Sequence, residues 1–224
     1  ISVALALADS GQFSESMPIC RQAMTSAAPG RPRVEAGLAC AEIQERAGKP
    51  TEALAIYEEL YASASVPIDL LTDVASGRAR VWMGQGEIQQ AVDSLDQALD
   101  RITEPNHRLP LLAVQAHALQ QFGDEDELSR VVAERDSLAD EAPEVAGPIL
   151  VDAAMRARSQ GRLSEASALL ERAVMMTMSR DQHVGALIEL ADIRLEQGEI
   201  LDATFRYEQA LAMTADEALR FGVG

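Results

Sequence analysis

The sequence predicts an all-α fold built from repeated pairs of antiparallel helices, and two observations lead to that prediction. The first is a period: similar stretches begin at six glycines spaced 37, 38, 37, 38 and 37 residues apart, namely Gly11, Gly48, Gly86, Gly123, Gly161 and Gly198. The second is that small residues keep step with this period, since an alanine stands seven residues before every one of these glycines. A fixed period of this size indicates stacked structural repeats.

Each repeat carries the residues that a tight helical hairpin needs. Five residues after the glycine stands a small residue in most copies, and nine after it stands a larger apolar residue such as Tyr57 or Leu95. Small residues let two helices approach closely, and apolar residues four positions on fill the space between them. The glycine suits the left-handed conformation that ends a helix. We predict that Ser14, Thr51 and Ser164 cap the second helices of their repeats.

This pattern of Ala, Gly, Ala, bulky residue and Ala resembles the tetratricopeptide repeat (TPR) family. The resemblance covers nearly the whole chain and implies a right-handed superhelical α-solenoid of about six antiparallel helix pairs. The period of 37–38 residues exceeds the family's usual length of about 34, and is similar to that of long-period, bacterial-type repeats. Repeat four departs from the pattern, because Leu128 and Arg135 replace small residues there. We therefore expect looser or differently angled packing in repeat four.

The repeats predict a single array over residues 1–224 rather than separate domains. Their approximate limits are 1–28, 29–65, 66–103, 104–141, 142–179 and 180–215, and a final segment near 216–221 is expected to cover the last apolar face. The chain opens partway into a helix and without Met, and its end resembles the start of another helix. We expect a fragment of a longer protein.

Acidic residues dominate the charge. Asp and Glu number 36 against 19 Lys and Arg, a formal net charge of −17. Nucleic-acid binding is disfavoured, because phosphate contacts require clustered cations. Solvated helix faces account for much of this charge, and an acidic surface that attracts a basic partner is the alternative. No run of residues is apolar and long enough for membrane insertion.

Residues that could act in catalysis or metal binding do not occur at the spacings that such sites require. A nucleophile elbow and a phosphate-binding loop are absent, and the histidines lack metal-ligand spacing. We predict no catalytic, cofactor-binding or metal-binding residues, no cofactor and no enzymatic activity. Met175, Met176 and Met178 are interpreted as core filling between repeats five and six, with an adaptable binding surface as the alternative.

Two cysteines, Cys20 and Cys40, fall on helices that should touch. A disulfide between them would suit a periplasmic or extracellular setting. Two buried thiols in a reducing cytosol are the favoured interpretation, which predicts a cytoplasmic protein.

In the resembled family, the first helices of successive repeats line a concave groove, and the resemblance places a partner-binding surface there. The positions implied in this chain are Glu35, Leu38, Glu42, Glu45, Arg80, Met83, His117, Gln120, Met155, Arg158, Ile188, Asp192 and Leu195. The Lys and Asn with which chaperone-binding members clamp a peptide carboxylate are missing. We therefore expect a protein or peptide partner with basic and apolar residues. The alternative is a merely solvated face, with the true interface on the edges or ends.

These observations predict a protein–protein interaction scaffold or regulatory module that holds a peptide or partner protein in its groove. The alternative is a structural or oligomerisation module, self-associating within a larger and possibly envelope-associated bacterial assembly.

Overall fold

A computed structural model describes residues 1–63 and 66–220, with side chains described up to residue 214. Within this part of the chain all regular structure is helical, and the all-α prediction is confirmed. The helices are α1 (Ser2–Asp9), α2 (Phe13–Ser26), α3 (Arg31–Arg46), α4 (Pro50–Ala62), α5 (Ile68–Gly84), α6 (Ile88–Leu99), α7 (Pro105–Phe122), α8 (Glu125–Leu138), α9 (Pro143–Ser159), α10 (Leu163–Ala173), α11 (Arg180–Glu196) and α12 (Ile200–Arg220).

The repeat glycines form the turns between paired helices. All six have a positive φ, between 70° for Gly48 and 84° for Gly123. A side chain is strained in this left-handed region, which explains why glycine returns at each turn. In repeat two the turn is closed by backbone bonds, for example from the Lys49 amide to the Gln44 carbonyl at 2.9 Å. The period in the sequence therefore has a direct counterpart in the structure.

The predicted hydroxyl caps of the second helices are wrong. Helices α2, α4 and α10 begin at Phe13, Pro50 and Leu163, and the residue before each makes no side-chain capping bond. Ser14, Thr51 and Ser164 are each the second residue of their helix, too far along to cap its first amides. The residue after the glycine takes the capping position, because the chain enters the helix directly from the left-handed turn.

Side-chain caps occur at other helix starts. Ser179 and Gln182 form a reciprocal capping box at the start of α11. The Asp124 carboxylate accepts a 3.0 Å bond from the Glu127 amide before α8. This second contact satisfies an amide at the helix start, where a negative charge is also favoured by the helix dipole.

The described contacts divide the chain into two compact units, Ile1–Arg135 and Asp136–Gly224. The division falls inside α8, the second helix of repeat four, where the sequence loses its small residues. Within each unit the helices pack as pairs: α1 with α2, α3 with α4 and α5 with α6 in the first unit, and α9 with α10 and α11 with α12 in the second. Whether the chain forms one continuous array remains a prediction.

The start of the first unit is cross-linked by a disulfide. Cys20 of α2 and Cys40 of α3 are fully buried and bonded, with their Cα atoms 5.6 Å apart. They lie in one apolar cluster with Ala4, Ala8 and Ile43, among others. The two helices do touch as predicted, but the favoured interpretation of free thiols is corrected by the bond.

Helices α4 and α5 approach each other closely at a glycine. A Cβ atom added to Gly77 of α5 would lie 2.3 Å from Cζ of Tyr57 on α4. Tyr57 is 2% exposed and belongs to the same apolar cluster as Val34, Leu60 and Val74. Gly77 therefore provides the space that the tyrosine ring fills.

Ion pairs join matching positions of neighbouring repeats in the first unit. Asp9 and Arg46 each stand two residues before a repeat glycine and meet at 2.8 Å. Arg31 and Asp69 each stand seventeen residues before a repeat glycine and meet at 2.7 Å. These contacts place first helix beside first helix, in the register that the period predicts.

The second unit has its own apolar core. Leu170, Leu190 and Ile193 are fully buried in one cluster with small residues of α9, α10 and α11. Arg194 of α11 contacts carboxylates on both flanking helices, among them Asp202 of α12 at 3.1 Å and Glu171 of α10. The core and these pairs hold the helices of repeats five and six together.

The end of the chain differs from the expected separate segment near 216–221. The backbone of α12 continues as one helix to Arg220. Residue 221 and the side chains from 215 onward lie outside the described residues, so the predicted covering of the last apolar face is untested.

Candidate partner-binding clefts

The first unit contains a cleft of about 310 Å³ between its first helices, which we call the α3–α5 cleft. Its lining comes from α3, α4 and α5: Leu38, Ala39, Glu42, Tyr57, Asp73, Ser76 and Arg80. Its volume is within the range of ligand-binding clefts. Apolar and charged side chains alternate along its wall, so it can take both an aliphatic group and a charge.

A hydrogen-bonded tyrosine fixes one wall of the α3–α5 cleft. The Tyr57 hydroxyl donates a 2.5 Å hydrogen bond to Oε1 of Glu45, and the Arg80 guanidinium lies 3.8 Å from the same oxygen. Burial and this contact with Glu45 raise the pKa of Tyr57 well above its usual value. The tyrosine therefore stays neutral and donates its hydroxyl hydrogen to Glu45.

Asp73 of α5 supplies a further carboxylate to the lining of this cleft. Burial, followed by the nearby charge of Asp69, raises the pKa of Asp73 above its ordinary value. Both causes disfavour the ionised form, and a bound cation would oppose them. A cation bound beside Asp73 would therefore favour its ionised form.

The second unit contains a cleft of about 360 Å³, which we call the α9–α11 cleft. Its lining residues are Pro148, Val151, Asp152, Met155, Met178, Gln182, Gly185, Ala186 and Glu189. Met178 packs partly into the apolar core and partly forms the cleft wall, whereas Met175 is 84% exposed. The core-filling interpretation of the methionine cluster is therefore wrong for Met175.

An acidic group of residues follows the α9–α11 cleft along α11. Arg158 pairs with Glu189 at 2.7 Å, lies 4.0 Å from Asp192, and also contacts Glu196. The hydrogen bond with Glu196 is the main cause that raises the pKa of Arg158. Tyr207 of α12 donates a hydrogen bond to Asp192. One cation faces three carboxylates, so this surface is negative.

The two clefts occupy the same register of the repeat. Counting back from the repeat glycine, Leu38 corresponds to Val151, Ala39 to Asp152 and Glu42 to Met155. In the following repeat, Asp73 corresponds to Gly185. Each cleft is therefore formed by the same surface of two successive first helices, and the difference between them is in their side chains.

The structure brings only some of the sequence-predicted groove residues into these clefts. Leu38, Glu42 and Arg80 line the α3–α5 cleft, and Met155 lines the α9–α11 cleft. The others lie outside the two linings: Glu35, Glu45, Met83, His117, Gln120, Arg158, Ile188, Asp192 and Leu195. Of these, Glu45, Arg158 and Asp192 contact cleft residues or each other, and Ile188 and Leu195 are exposed on α11.

Several cleft residues were missed by the sequence reasoning. Ala39, Asp152 and Glu189 all stand nine residues before a repeat glycine, one residue after the position of Leu38 and Ile188 in the repeat. That shared spacing was a usable signal. Tyr57 belongs to a second helix and reaches the cleft only because Gly77 leaves room for its ring.

The helices have the fold of a TPR-like helical repeat protein. Among solved structures, the chain is similar to BtubC (BKLC) from P. vanneervenii, with a TM-score of 0.61 and 15% identity over 96% of this chain and 92% of that one. At this identity the likeness shows the fold alone.

Two weaker likenesses have TM-scores under 0.5. One is to a putative kinesin light chain with nearly identical TPR-like repeats from Podosopora anserina, with a TM-score of 0.47 and 19% identity over 96% of this chain and 93% of that one. The other is to MamA from Desulfovibrio magneticus RS-1, with a TM-score of 0.46 and 14% identity over 82% of this chain and 96% of that one.

Neither a protein-family model nor a curated protein sequence matches the chain. None of the helices in the described part of the chain combines the length and apolar character that crossing a membrane requires.

Proposed function

We propose that this chain is a protein-interaction module that binds basic, apolar peptide segments in the α3–α5 cleft and the α9–α11 cleft. The observation that carries the proposal is that both clefts use the same register of successive first helices and combine apolar side chains with carboxylates. In the first cleft these are Leu38 with Glu42 and Asp73. In the second they are Met155 with Asp152.

Charge complementarity supports the choice of a basic segment. In the α3–α5 cleft two carboxylates face one cation, Arg80, and Glu45 adds a further negative charge beside them. In the α9–α11 cleft Asp152 lies in the lining, and Arg158 already contacts Glu189. A lysine or arginine side chain would be attracted to either cleft, and its aliphatic neighbours would cover the apolar lining.

Charge reversal inside each cleft tests this function. The probe is a blocked peptide of alternating lysine and leucine, titrated calorimetrically at low ionic strength. We expect one peptide to bind in each cleft, and Glu42→Arg to weaken binding to the α3–α5 cleft by about tenfold, or about 1.4 kcal/mol. Asp152→Arg should act in the same way on the α9–α11 cleft, and the double variant should lose both sites.

Matched controls separate a local site from net charge. Glu59→Arg and Glu208→Arg make the same charge change on exposed positions of α4 and α12, outside both clefts. These variants should bind the peptide as the wild type does. Equal losses in the cleft and control variants would contradict the proposal, because binding would then follow total charge alone.

A second candidate function, self-association, is favoured by one observation on α12. Leu201 and Phe205 are 88% and 52% exposed and stand one turn apart. The other five repeats carry a polar residue where Leu201 stands: Ser14, Thr51, Gln89, Asp126 and Ser164. This apolar strip is a departure from the repeat pattern, and the strip of a second copy would cover it in a symmetric dimer.

Light scattering over a range of concentrations tests self-association. We expect the wild-type mass to rise with concentration and the Leu201→Ser, Phe205→Ser variant to remain monomeric. Leu195→Ser, which removes an exposed leucine of α11, serves as the control and should associate like the wild type. A wild-type chain that stays monomeric throughout would exclude this function.

The Cys20–Cys40 disulfide supports an oxidising compartment. Disulfides persist in secreted and periplasmic proteins and are rare in the cytosol. We therefore propose the periplasmic alternative over the cytoplasmic location that the sequence favoured.

A further inference from the structure

A third cleft lies on a different surface of the first unit, along α2. It has a volume of about 470 Å³, and we call it the α2 cleft. It is lined by one face of α2 and by the end of α3 with the turn that follows: Phe13, Ser14, Met17, Pro18, Arg21, Gln44, Ala47 and Lys49. It shares no residue with the two clefts discussed above, and it forms where repeat one meets the turn of repeat two.

A buried amide in the α2 cleft lacks a partner. Gln44 is 2% exposed, and its Oε1 atom is buried without a hydrogen bond. Leaving a buried acceptor unpaired is unfavourable, so native structures rarely contain one without a reason. Since Gln44 lines the cleft, a molecule bound there could supply the missing hydrogen bond.

A proline adds a second acceptor to the same wall. Pro18 lies inside α2 and has no amide hydrogen, so the Ser14 carbonyl one turn earlier loses its ordinary helical donor. Both residues line the α2 cleft. A ligand that carries N–H or O–H donors would satisfy both this carbonyl and Gln44 Oε1.

The same cleft carries two cations that have no carboxylate partner. Within the described part of the chain, neither Arg21 nor Lys49 forms an ion pair or a side-chain hydrogen bond, although carboxylates outnumber cations 36 to 19. Many other arginines are paired, as Arg46 is with Asp9. Two unpaired cations beside an apolar surface favour an anionic ligand.

We propose that the α2 cleft binds an acidic peptide segment in which a carboxylate side chain stands next to an apolar residue. The carboxylate contacts Arg21 and Lys49, and the apolar side chain packs on Phe13 and Met17. Peptide amides supply the donors for Gln44 Oε1 and the Ser14 carbonyl, which a simple anion lacks. The charge preference of this cleft is opposite to that of the other two, so one chain can hold two kinds of partner segment.

The test uses a fluorescent peptide of alternating glutamate and leucine, blocked at both ends so that only side-chain carboxylates are present. We expect it to bind the wild type, and Arg21→Glu or Lys49→Glu to weaken it by about tenfold each at low salt. Arg180→Glu makes the same charge change in the other unit and should leave the affinity unchanged. Equal weakening by all three variants would overturn the proposal.

Gln44→Leu separates ligand contact from a structural role, because it should raise the stability of the chain and lower its affinity for the peptide. Removing an unpaired buried acceptor without changing volume much should stabilise the chain against urea. The same change removes a hydrogen bond to the peptide and should weaken peptide binding severalfold. Undiminished affinity in this variant would overturn the proposal.

Competition experiments show whether the carboxylate that binds belongs to a peptide or to a small carboxylic acid. A serine-for-leucine version of the peptide should compete poorly, since it lacks the apolar side chain. N-acetylleucine should also compete only at far higher concentration, because it offers a single amide and a single carboxylate. Displacement of the peptide by N-acetylleucine at equal concentration would overturn the assignment to a peptide and reassign the cleft to small carboxylic acids.

Discussion

Replacing Gly77 by alanine is expected to destabilise the first unit by about 3 kcal/mol, although helix propensity alone would favour alanine by about 1 kcal/mol. The new methyl group would lie 2.3–2.6 Å from three atoms of the Tyr57 side chain, namely Cζ, Cε1 and the hydroxyl oxygen. The ring cannot move freely, because it is 2% exposed and its hydroxyl is bonded to Glu45. Relief of the clash therefore requires the loss of packing, of a charge-assisted hydrogen bond, or of both.

Urea unfolding of the variant measures this effect, and Gly84→Ala is its control on the same helix. A Cβ atom at Gly84 meets nothing within 4 Å, so that change should be neutral or stabilise by up to about 1 kcal/mol. A double-mutant cycle adds specificity: in a Tyr57→Ala background, Gly77→Ala should no longer be destabilising. A Gly77→Ala chain as stable as the wild type would show that α4 and α5 do not approach so closely.

Opening the Cys20–Cys40 disulfide is expected to destabilise the region of α2 and α3 by about 3 kcal/mol. The estimate follows from the entropy that a cross-link over 20 residues removes from the unfolded chain. The measurement is urea unfolding with and without a thiol reductant. The Cys20→Ala, Cys40→Ala variant should unfold at the lower midpoint under both conditions.

Counting thiols in the denatured, unreduced protein provides the control for the disulfide prediction. The expected result is that no free thiol reacts before reductant is added. If both cysteines react, or if the reductant leaves the unfolding midpoint of the wild type unchanged, the cross-link does not contribute to stability as argued.

Much of the fold could be predicted because it depends on spacing. The interval from Gly48 to Gly86 fixes where each hairpin turns, and the positive φ of both residues follows from chain geometry that only glycine adopts easily. The resemblance to the TPR family implied which face of α3 would be open, and Leu38 and Glu42 of that face do line the α3–α5 cleft.

Contacts that depend on side-chain reach could not be predicted in this way. Arg158 was predicted as a groove residue, but its contacts with Glu189, Asp192 and Glu196 were not predicted. A period describes where Cα atoms lie, whereas such a network depends on rotamers and on competition among carboxylates. Tyr57 was missed for a related reason, since its entry into the cleft depends on the absent side chain of Gly77.

The α2 cleft was missed because no single repeat contains it. Pro18 and Arg21 lie in repeat one, whereas Gln44 and Lys49 lie in repeat two. Their proximity is a property of the junction, and reading one repeat at a time cannot reveal it. The disulfide has a similar origin: spacing places Cys20 and Cys40 on touching helices, but the oxidation state is set by the environment.

The ion pairs at matching positions have a consequence for how such arrays evolve. Asp9 and Arg46 have opposite charge at equivalent sites, so a tandem duplication of repeat two would set two guanidinium groups side by side. Deleting repeat two would instead bring Asp9 next to the uncharged Gly84. Exposed pairs of this kind add little to stability, but repulsion between like charges destabilises the contact between two repeats that do not match. The surface charges therefore favour the present order of the repeats. A duplicated repeat two would place like charges at the new junction and lower the stability there.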